Sequence, residues 1–345
     1  MDSISFKPIS DVGLIRDNNE DSFIAEQLWD KYHFLFAAID GIGGYEGGEV
    51  AAEIARTSII EFLHNYPDNN LKDLIVQAVL QANNSIYEQR KLGQYPNMGC
   101  VVSAAILDTQ EDKLYIAHVG DSRIYLYNNG ELTKLTHDHS LVGYREEIGE
   151  LTEEEAMKHP RRNIIERCLG DNERIFGEGN FIENTVYDIP ANGKLLFCSD
   201  GLTDLVTSVE IKLILGAKAS TADKCQKLVD KAKEHGGKDN ITVVLAETRS
   251  KSFSQKEANL SCGQESSENT NAVLPAEDRI WRSFLPLACL IFGIFIGFCV
   301  GMSKYQPLVV PKICTDSLET LLSPQDSLSQ SIEPLKTSID EESAE

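Results

Sequence analysis

The chain has 345 residues, of which 42% are hydrophobic and 25% are charged, and its formal net charge is -22. This length and apolar content allow one large domain with a proper core, together with additional segments. The negative charge argues against electrostatic binding to nucleic acid or to an anionic lipid surface, and it would repel acidic substrates at long range.

Runs rich in β-branched and aromatic residues predict eight strands. They cover residues 3–14, 22–28, 33–39, 99–107, 113–119, 123–127, 194–198 and 241–246. Apolar residues at helical spacing predict helices at 47–64, 71–91, 208–215 and 222–234. Thr207 with Glu210, and Ser220 with Asp223, follow the spacing of N-terminal capping boxes. Strand runs with helices inserted in pairs predict two stacked, mainly antiparallel sheets covered by helices.

The chain changes character after residue 248. Residues 249–280 are rich in Ser, Gln, Glu and Asn and predict a disordered linker. Residues 284–302 carry no charge, and a helix of this length spans roughly 28 Å, about the hydrocarbon thickness of a bilayer. A buried core helix is the alternative, but nothing outside the N-terminal domain offers it a packing surface. We therefore predict a transmembrane helix, followed at 303–345 by an acidic, disordered tail.

Two features indicate the cellular compartment of the N-terminal domain. The first ten residues lack the basic and apolar regions of a secretory signal. The eight cysteines follow neither a disulfide framework nor a zinc-site spacing, which is typical of a reducing compartment. The expectation is a single-pass membrane protein whose N-terminal domain is cytoplasmic.

Five aspartates each lie at one end of an apolar run and precede a small or turn-forming residue. They are Asp21, Asp40, Asp121, Asp200 and Asp239. Any one of them alone is an ordinary turn signal. Hard cations such as Mg²⁺ and Mn²⁺, however, need several carboxylates brought together from separate strand ends. As a set, the aspartates therefore predict a metal-dependent hydrolase.

Seven motifs in chain order extend this interpretation. They are GLIRDNNEDSF, DGIGGYEGGEVAA, HVGDSRIYL, LTHDHSLV, HPRRNIIERCLG, FCSDGLTDLV and DNITVVL. In this order they resemble the metal-dependent protein phosphatases of the type 2C, or PPM, family, and most closely its bacterial serine/threonine branch. The resemblance implies an α+β fold over residues 1–248, built as a four-layer αββα sandwich. It also implies that the polar stretch at about 140–180 is a flap beside the active site, with a plain surface insertion as the alternative.

The resemblance implies ligands for two or three Mn²⁺ or Mg²⁺ ions. Asp40 would bridge two ions, and the carbonyl of Gly41 would add a ligand. Asp200 and Asp239 would complete the coordination of the first ion.

The remaining implied ligands lie around the second and third ions. Glu20 with Asp21 would surround the second ion, mostly through water. Asp121 and Asp204 match positions that hold a looser third ion, and structural turn or cap aspartates are the alternative for this pair.

Arg16 is the candidate phosphate-binding residue. It stands four residues before Glu20, as in the family, and a guanidinium fork suits two phosphoryl oxygens. A surface ion pair is the alternative for an isolated arginine.

The general acid is not assigned by the sequence. Many eukaryotic members of the family carry a histidine where this chain has Ile42, so a water on the metal is the expected substitute. His137 and His139 are alternatives, although their motif is usually structural, and His118 is expected in the core.

Together these features predict a membrane-tethered protein serine/threonine phosphatase that uses metal-activated water. Its partners would be phosphoserine and phosphothreonine proteins, including a serine/threonine kinase, and it would bind no nucleic acid. The alternatives are a catalytically weak, phosphatase-like scaffold at the membrane and a phosphatase for small phosphate esters.

Overall fold

The structure is a computed structural model that describes residues 4–42, 47–177 and 179–248. Its strands are β1 (Ile4–Asp11), β2 (Ser22–Gln27), β3 (His33–Ile42), β4 (Gly99–Asp108), β5 (Lys113–Val119), β6 (Arg123–Asn128), β7 (Glu131–Lys134), β8 (Glu183–Asp188), β9 (Lys194–Cys198) and β10 (Ile241–Thr248). Its helices are α1 (Gly48–Asn65), α2 (Leu71–Lys91), α3 (Leu141–Glu147), α4 (Glu153–Met157), α5 (Asp200–Thr203), α6 (Ser208–Gly216) and α7 (Thr221–Glu234).

The strands form two five-stranded sheets in which every neighbouring pair is antiparallel. The first sheet has the order β1-β10-β9-β6-β7, and the second has the order β2-β3-β4-β5-β8. All ten residues of β4 are buried, because this strand lies inside its sheet with neighbours on both sides. The predicted pair of antiparallel sheets is confirmed.

Three apolar clusters hold the layers together. Phe36 of β3 and Phe197 of β9 belong to the cluster between the two sheets. A second cluster joins β2–β5 to α1 and α2, and a third joins the first sheet to α5–α7. In α1 the buried Ala51, Ala55 and Ile59 recur every four residues, which places them on one helix face against the sheet. The layers therefore run helix, sheet, sheet, helix.

The helix starts follow their predicted caps. Thr207 and Glu210 form the reciprocal capping box at the start of α6. At α7 the hydroxyl of Ser220 accepts the backbone N–H of Asp223. Each cap satisfies a backbone donor that the helix leaves without a partner.

The C-terminal predictions lie outside the described residues. This applies to the linker at 249–280, the span at 284–302 and the tail at 303–345. Within the described ranges, no helix has both the length and the apolar character needed to cross a membrane.

Candidate metal centre

The predicted site residues lie at strand ends of both sheets. They are Arg16 in the loop after β1, Glu20 and Asp21 before β2, Asp40 and Gly41 within β3, Asp121 between β5 and β6, Asp200 and Asp204 at the two ends of α5, and Asp239 before β10. Residues separated by up to 223 positions in the chain therefore lie near one another.

A cavity of about 200 Å³, which we call the acidic cavity, collects most of these side chains. Seven of the nine predicted residues line it: Arg16, Glu20, Asp40, Gly41, Asp121, Asp200 and Asp239. Asp121 and Asp200 also line an adjacent cavity of about 30 Å³, together with Asp204. Asp21 lines neither cavity, but its carboxylate influences that of Asp40.

The carboxylates lie close enough to oppose one another's ionisation. Burial raises the pKa of Asp40 well above its ordinary value, and the charges of Asp21 and Asp200 raise it further. Burial likewise raises the pKa of Asp200 well above its ordinary value, and Asp121 is the largest contributor among its charged neighbours. Several carboxylates that share a buried space are stable in ionised form only if cations offset their charge.

Asp21 is held from the neighbouring sheet. Its Oδ2 accepts a 2.8 Å hydrogen bond from the hydroxyl of Ser199, which lies between β9 and α5. Burial raises the pKa of Asp21 to about 7, although the Ser199 hydrogen bond acts in the opposite direction. Ser199 is fully buried, so its role here is to orient Asp21 rather than to attack a substrate.

Asp204 has a partner that sequence reasoning did not identify. Nε of Arg162, in the segment predicted as a flap, donates a 2.6 Å hydrogen bond to Oδ2 of Asp204. Burial raises the pKa of Asp204, and Arg162 lowers it. Burial, followed by the charge of Asp138, raises the pKa of Asp121 to about 7. The predicted third-ion site therefore contains an ion pair to the flap segment.

Two glycines allow the backbone to approach closely at this centre. A Cβ on Gly41 would lie 2.3 Å from the carbonyl oxygen of Gly48. A Cβ on Gly201 would lie 1.9 Å from the carbonyl oxygen of Asn240. Because neither gap admits a side chain, glycine is required beside both Asp40 and Asp200.

Asn240 fixes the loop that carries Glu20. Its Oδ1 accepts the N–H of Glu20 at 2.8 Å, and its Nδ2 donates to the carbonyls of Val12 and Asn18. The motif DNITVVL contained this residue, but only the folded loop reveals its contacts. Asn240 therefore positions the loop rather than marking a simple turn.

Arg16 lines the acidic cavity and forms an ion pair there with Asp239. Its Nη2 donates a 2.9 Å hydrogen bond to Oδ2 of Asp239, and 46% of its side chain is exposed. The guanidinium therefore reaches a predicted metal ligand and also solvent, where a phosphate would arrive. Its role in binding phosphate stays a prediction.

No histidine lines the acidic cavity among the described residues, whereas Ile42 does. His137 instead pairs with Glu183 at 3.1 Å and has 67% of its side chain exposed. His139 accepts the backbone N–H of Gly120. This geometry gives neither histidine a position as the general acid.

A separate cluster of His118, His139 and Glu183 has three possible metal-ligand atoms within 4.8 Å of one another. His118 is fully buried, as predicted, and its Nε2 lies 3.0 Å from the carbonyl oxygen of His137. Nδ1 of His139 accepts the N–H of Gly120, and Glu183 accepts the N–H of His137. Because these groups already have protein partners, we interpret the cluster as a structural hydrogen-bond network.

The donors of the acidic cavity fit hard divalent cations. Its ionisable donors are carboxylate oxygens, and neither a cysteine nor a histidine lines it among the described residues. Mg²⁺ and Mn²⁺ prefer this chemistry, whereas softer ions prefer thiolate or imidazole ligands. Asp40, Asp200 and Asp239 would hold the central pair of ions.

Metal removal should make the stability of the fold depend on pH. Without metal the pKa values of Asp21 and Asp121 are about 7, against an ordinary value of 3.8. Between these limits the folded chain retains protons that the unfolded chain releases, so stability decreases as pH rises from about 4 to about 7. We expect the melting temperature of chelator-treated protein to fall across this window and Mn²⁺ to restore it above pH 7. Calorimetric scans at each pH test this, and a metal-free melting temperature as high at pH 8 as at pH 5 would contradict it.

Comparisons with known proteins agree with this geometry. The family model described as Protein phosphatase 2C matches residues 7–148. The serine/threonine phosphatase stp of Listeria welshimeri is 35% identical over 250 residues, which cover 69% of this chain and 93% of the relative. The serine/threonine protein phosphatase PstP of Mycobacterium tuberculosis is 33% identical over 269 residues, which cover 77% of this chain and 49% of PstP.

Solved structures give the same result. The S. agalactiae serine/threonine phosphatase superposes with a TM-score of 0.64 at 32% identity, covering 71% of this chain and 100% of that one. The catalytic domain of PstP, solved in complex with 2 manganese ions, superposes with a TM-score of 0.61 at 31% identity, covering 72% of this chain and 99% of that one. With its carboxylate-lined cavity and these relatives, the chain belongs to the protein phosphatase 2C family.

Proposed function

We propose that this chain is a metal-dependent protein serine/threonine phosphatase that hydrolyses phosphoserine and phosphothreonine side chains. The observation that carries the proposal is the acidic cavity, where carboxylates from both sheets meet one arginine. Relatives named as serine/threonine phosphatases support the same substrate class.

The cavity divides the chemistry between bound metal and protein groups. Two divalent cations, when bound, would supply an activated water and offset charge on the phosphoryl group. Asp40, Asp200 and Asp239 would hold and orient these cations. Arg16 would bind two phosphoryl oxygens through its planar guanidinium. Asn240 keeps the Arg16–Glu20 loop against the start of β10.

A phosphate-release assay separates this proposal from its alternatives. We expect Mn²⁺-dependent release of phosphate from phosphothreonine peptides that is faster than release from generic small esters. A preference for small esters would indicate a phosphatase of metabolites. Peptide binding without any metal-dependent release would indicate a scaffold and would contradict the proposal.

Replacement of Arg16 by alanine should mainly raise the KM for phosphopeptides. Charge-assisted hydrogen bonds to a phosphate contribute about 1.5–3 kcal/mol, which corresponds to an increase of roughly tenfold or more. Arg16→Lys keeps the charge but loses the fork, so its KM should lie between those of wild type and alanine. Steady-state kinetics tests both variants. An unchanged KM together with a lowered melting temperature would indicate that Arg16 serves only as an ion pair with Asp239.

We also propose that residues 284–302 anchor the enzyme to a membrane, with the catalytic domain on the cytoplasmic side. The kinase whose phosphorylation it reverses would be a serine/threonine kinase. The support comes from the sequence alone: 19 consecutive residues without charge, flanked by polar segments. A chain truncated before Trp281 should be active and should remain in the supernatant after cell fractionation, whereas the full chain should sediment with membranes. A truncated chain that still sediments would contradict the anchor.

A further inference from the structure

A second cavity, of about 690 Å³, lies between α2 and the segment that leads into β8. We call it the α2 cavity. No residue lines both this cavity and the acidic cavity. Its walls include Val76 and Leu80 of α2, the two arginines Arg167 and Arg174, and Phe181. Pockets for small molecules typically enclose about 300–1,000 Å³ and combine apolar walls with a few polar groups.

Arg174 is held in place by several contacts. The side chain of Asn84 accepts the N–H of Arg174 at 3.0 Å and donates to its carbonyl at 2.9 Å. The guanidinium carbon of Arg174 lies 3.6 Å from the ring centroid of Phe181. In the same way, Asn83 donates to the carbonyl of Asn172, which fastens this segment to α2. The cationic group is therefore preorganised rather than free to move in solvent.

Three buried side-chain atoms of wall residues have no protein partner among the described residues. They are Nε of Arg174, Oδ1 of Asn184 and Oγ1 of Thr185. Buried polar groups in folded proteins almost always have a partner. A bound molecule with an acceptor for Arg174 and donors for Asn184 and Thr185 would satisfy all three once a small shift of the walls exposes them.

The charges of the cavity favour an anion. Nη1 of Arg167 donates to the carbonyl of Asn180 at 2.7 Å and lies 3.4 Å from Nε2 of His139, and the guanidinium has further donors at Nε and Nη2. The acidic wall residue Glu183 is already paired with His137, and Asp73 accepts from the side chain of Asn70. Neither Arg167 nor Arg174 has a carboxylate within 4.0 Å among the described residues, and these two unpaired cations favour a ligand with negative charge.

His139 connects the α2 cavity to the predicted third-ion ligand. The side chain of His139 lines the cavity, and its Nδ1 accepts the backbone N–H of Gly120 at 3.1 Å. The backbone N–H of His139 donates to the carbonyl of Gly120 at 2.7 Å. Gly120 directly precedes Asp121. A molecule that contacts the His139 ring therefore contacts the group that holds the Asp121 loop in place.

We propose that the α2 cavity is an effector site for a small molecule with an aromatic or branched apolar body and one carboxylate or phosphate-like group, and that its occupancy changes divalent-cation binding at Asp121. The proposed effect on cation binding rests on the proposed metal centre, whereas the proposed binding of the small molecule in the α2 cavity does not. Linkage requires that the cation then changes the affinity of the ligand by the same factor.

Fluorine NMR titration of the full chain with para-trifluoromethylbenzoate tests the binding half. We expect saturable broadening of the probe signal that weakens about tenfold in Arg174→Met, because a charge-assisted hydrogen bond is lost. Arg174→Lys should lie between the two. Arg56→Met is the matched control, since Arg56 lies on α1 and pairs only locally with Glu53. The neutral probe para-trifluoromethylbenzamide should bind more weakly than the benzoate. Equal binding of the two probes, or equal binding by wild type and Arg174→Met, would overturn the site.

The same titration with and without Mg²⁺ tests the coupling. We expect Mg²⁺ to change the dissociation constant of the benzoate by about fivefold or more, and Asp121→Asn to abolish this change. An identical dissociation constant at zero and saturating Mg²⁺ would overturn the effector role. Because the readout is probe binding, it does not depend on phosphatase activity and separates this failure from a failure of the proposed function.

Discussion

Asp40→Asn should reduce phosphate release to background while the chain remains folded. The substitution keeps the shape of the side chain but removes the carboxylate predicted to bridge two cations. Metal stabilisation of transition-state charge contributes several kcal/mol, and each 1.36 kcal/mol is a factor of ten in rate, so we expect a loss of about 10³-fold or more.

The same substitution should stabilise the metal-free chain at neutral pH. Burial and neighbouring carboxylates raise the pKa of Asp40, so ionising it without metal costs free energy. An amide cannot ionise and avoids this cost. Calorimetry in chelator and a phosphate-release assay at saturating Mn²⁺ measure the two effects. Asp230→Asn, on the exposed face of α7, is the control. It should change neither the melting temperature in chelator nor the rate of phosphate release. Near-wild-type activity of Asp40→Asn would refute its role as the bridging ligand.

Patterns along the sequence were sufficient to predict the interior strands. The predictions for β5 and β9 match the observed bounds, because both strands carry continuous apolar runs. The two strands that were missed, β7 and β8, form edges of their sheets. Their sequences ELTK and ENTVYD are largely polar, since an edge strand has fewer neighbours to bury it. Neither therefore carries the alternation from which strands are recognised.

Asp40, the predicted bridging residue, lies within a strand rather than beyond its end. The third strand was expected to end at residue 39, with Asp40 just beyond it. In the structure β3 continues to Ile42, because Asp40 and Gly41 pair with Val101 and Cys100 of β4. The antiparallel ladder with β4 thus fixes the backbone at the metal centre, and a prediction from one segment cannot include this partner.

The sequence was sufficient to predict which carboxylates belong to the candidate site, but not which groups position them. Each aspartate carried a local signal at a strand end, and four of the five line the acidic cavity. The contacts of Asn240 with Glu20 and of Ser199 with Asp21 join residues 220 and 178 positions apart. Such contacts depend on how the two sheets pack, and no local pattern records them.

The buried ion pair between Arg123 and Asp138 should make a large contribution to the stability of the fold. Only 13% and 3% of the two side chains are exposed, and Nη2 of Arg123 donates to Oδ2 of Asp138 at 2.6 Å. Arg123 also binds Glu146 of α3 at 3.0 Å, so it connects β6 to the start of the predicted flap. Removing Asp138 leaves the buried Arg123 charge with only the partly exposed Glu146 as a carboxylate partner among the described residues, and breaking such a buried pair costs about 3–5 kcal/mol.

Asp138→Asn should therefore lower the free energy of unfolding by about 3–5 kcal/mol at pH 7. Burial raises the pKa of Asp138, but Arg123 and Lys134 outweigh it, so the pKa lies below its ordinary value of 3.8. A carboxylate with a lowered pKa stabilises the fold above its unfolded pKa and loses this effect as pH falls through the folded value. The difference between wild type and variant should accordingly be full at pH 7 and shrink below about pH 4.

Urea unfolding at both pH values measures this difference. Glu150→Gln is the control, because Glu150 pairs with Arg145 at the surface and its loss should change stability by less than about 0.5 kcal/mol. A variant of Asp138 as stable as this control at pH 7, or a difference that does not depend on pH, would show that the pair does not anchor the flap segment to the sheet.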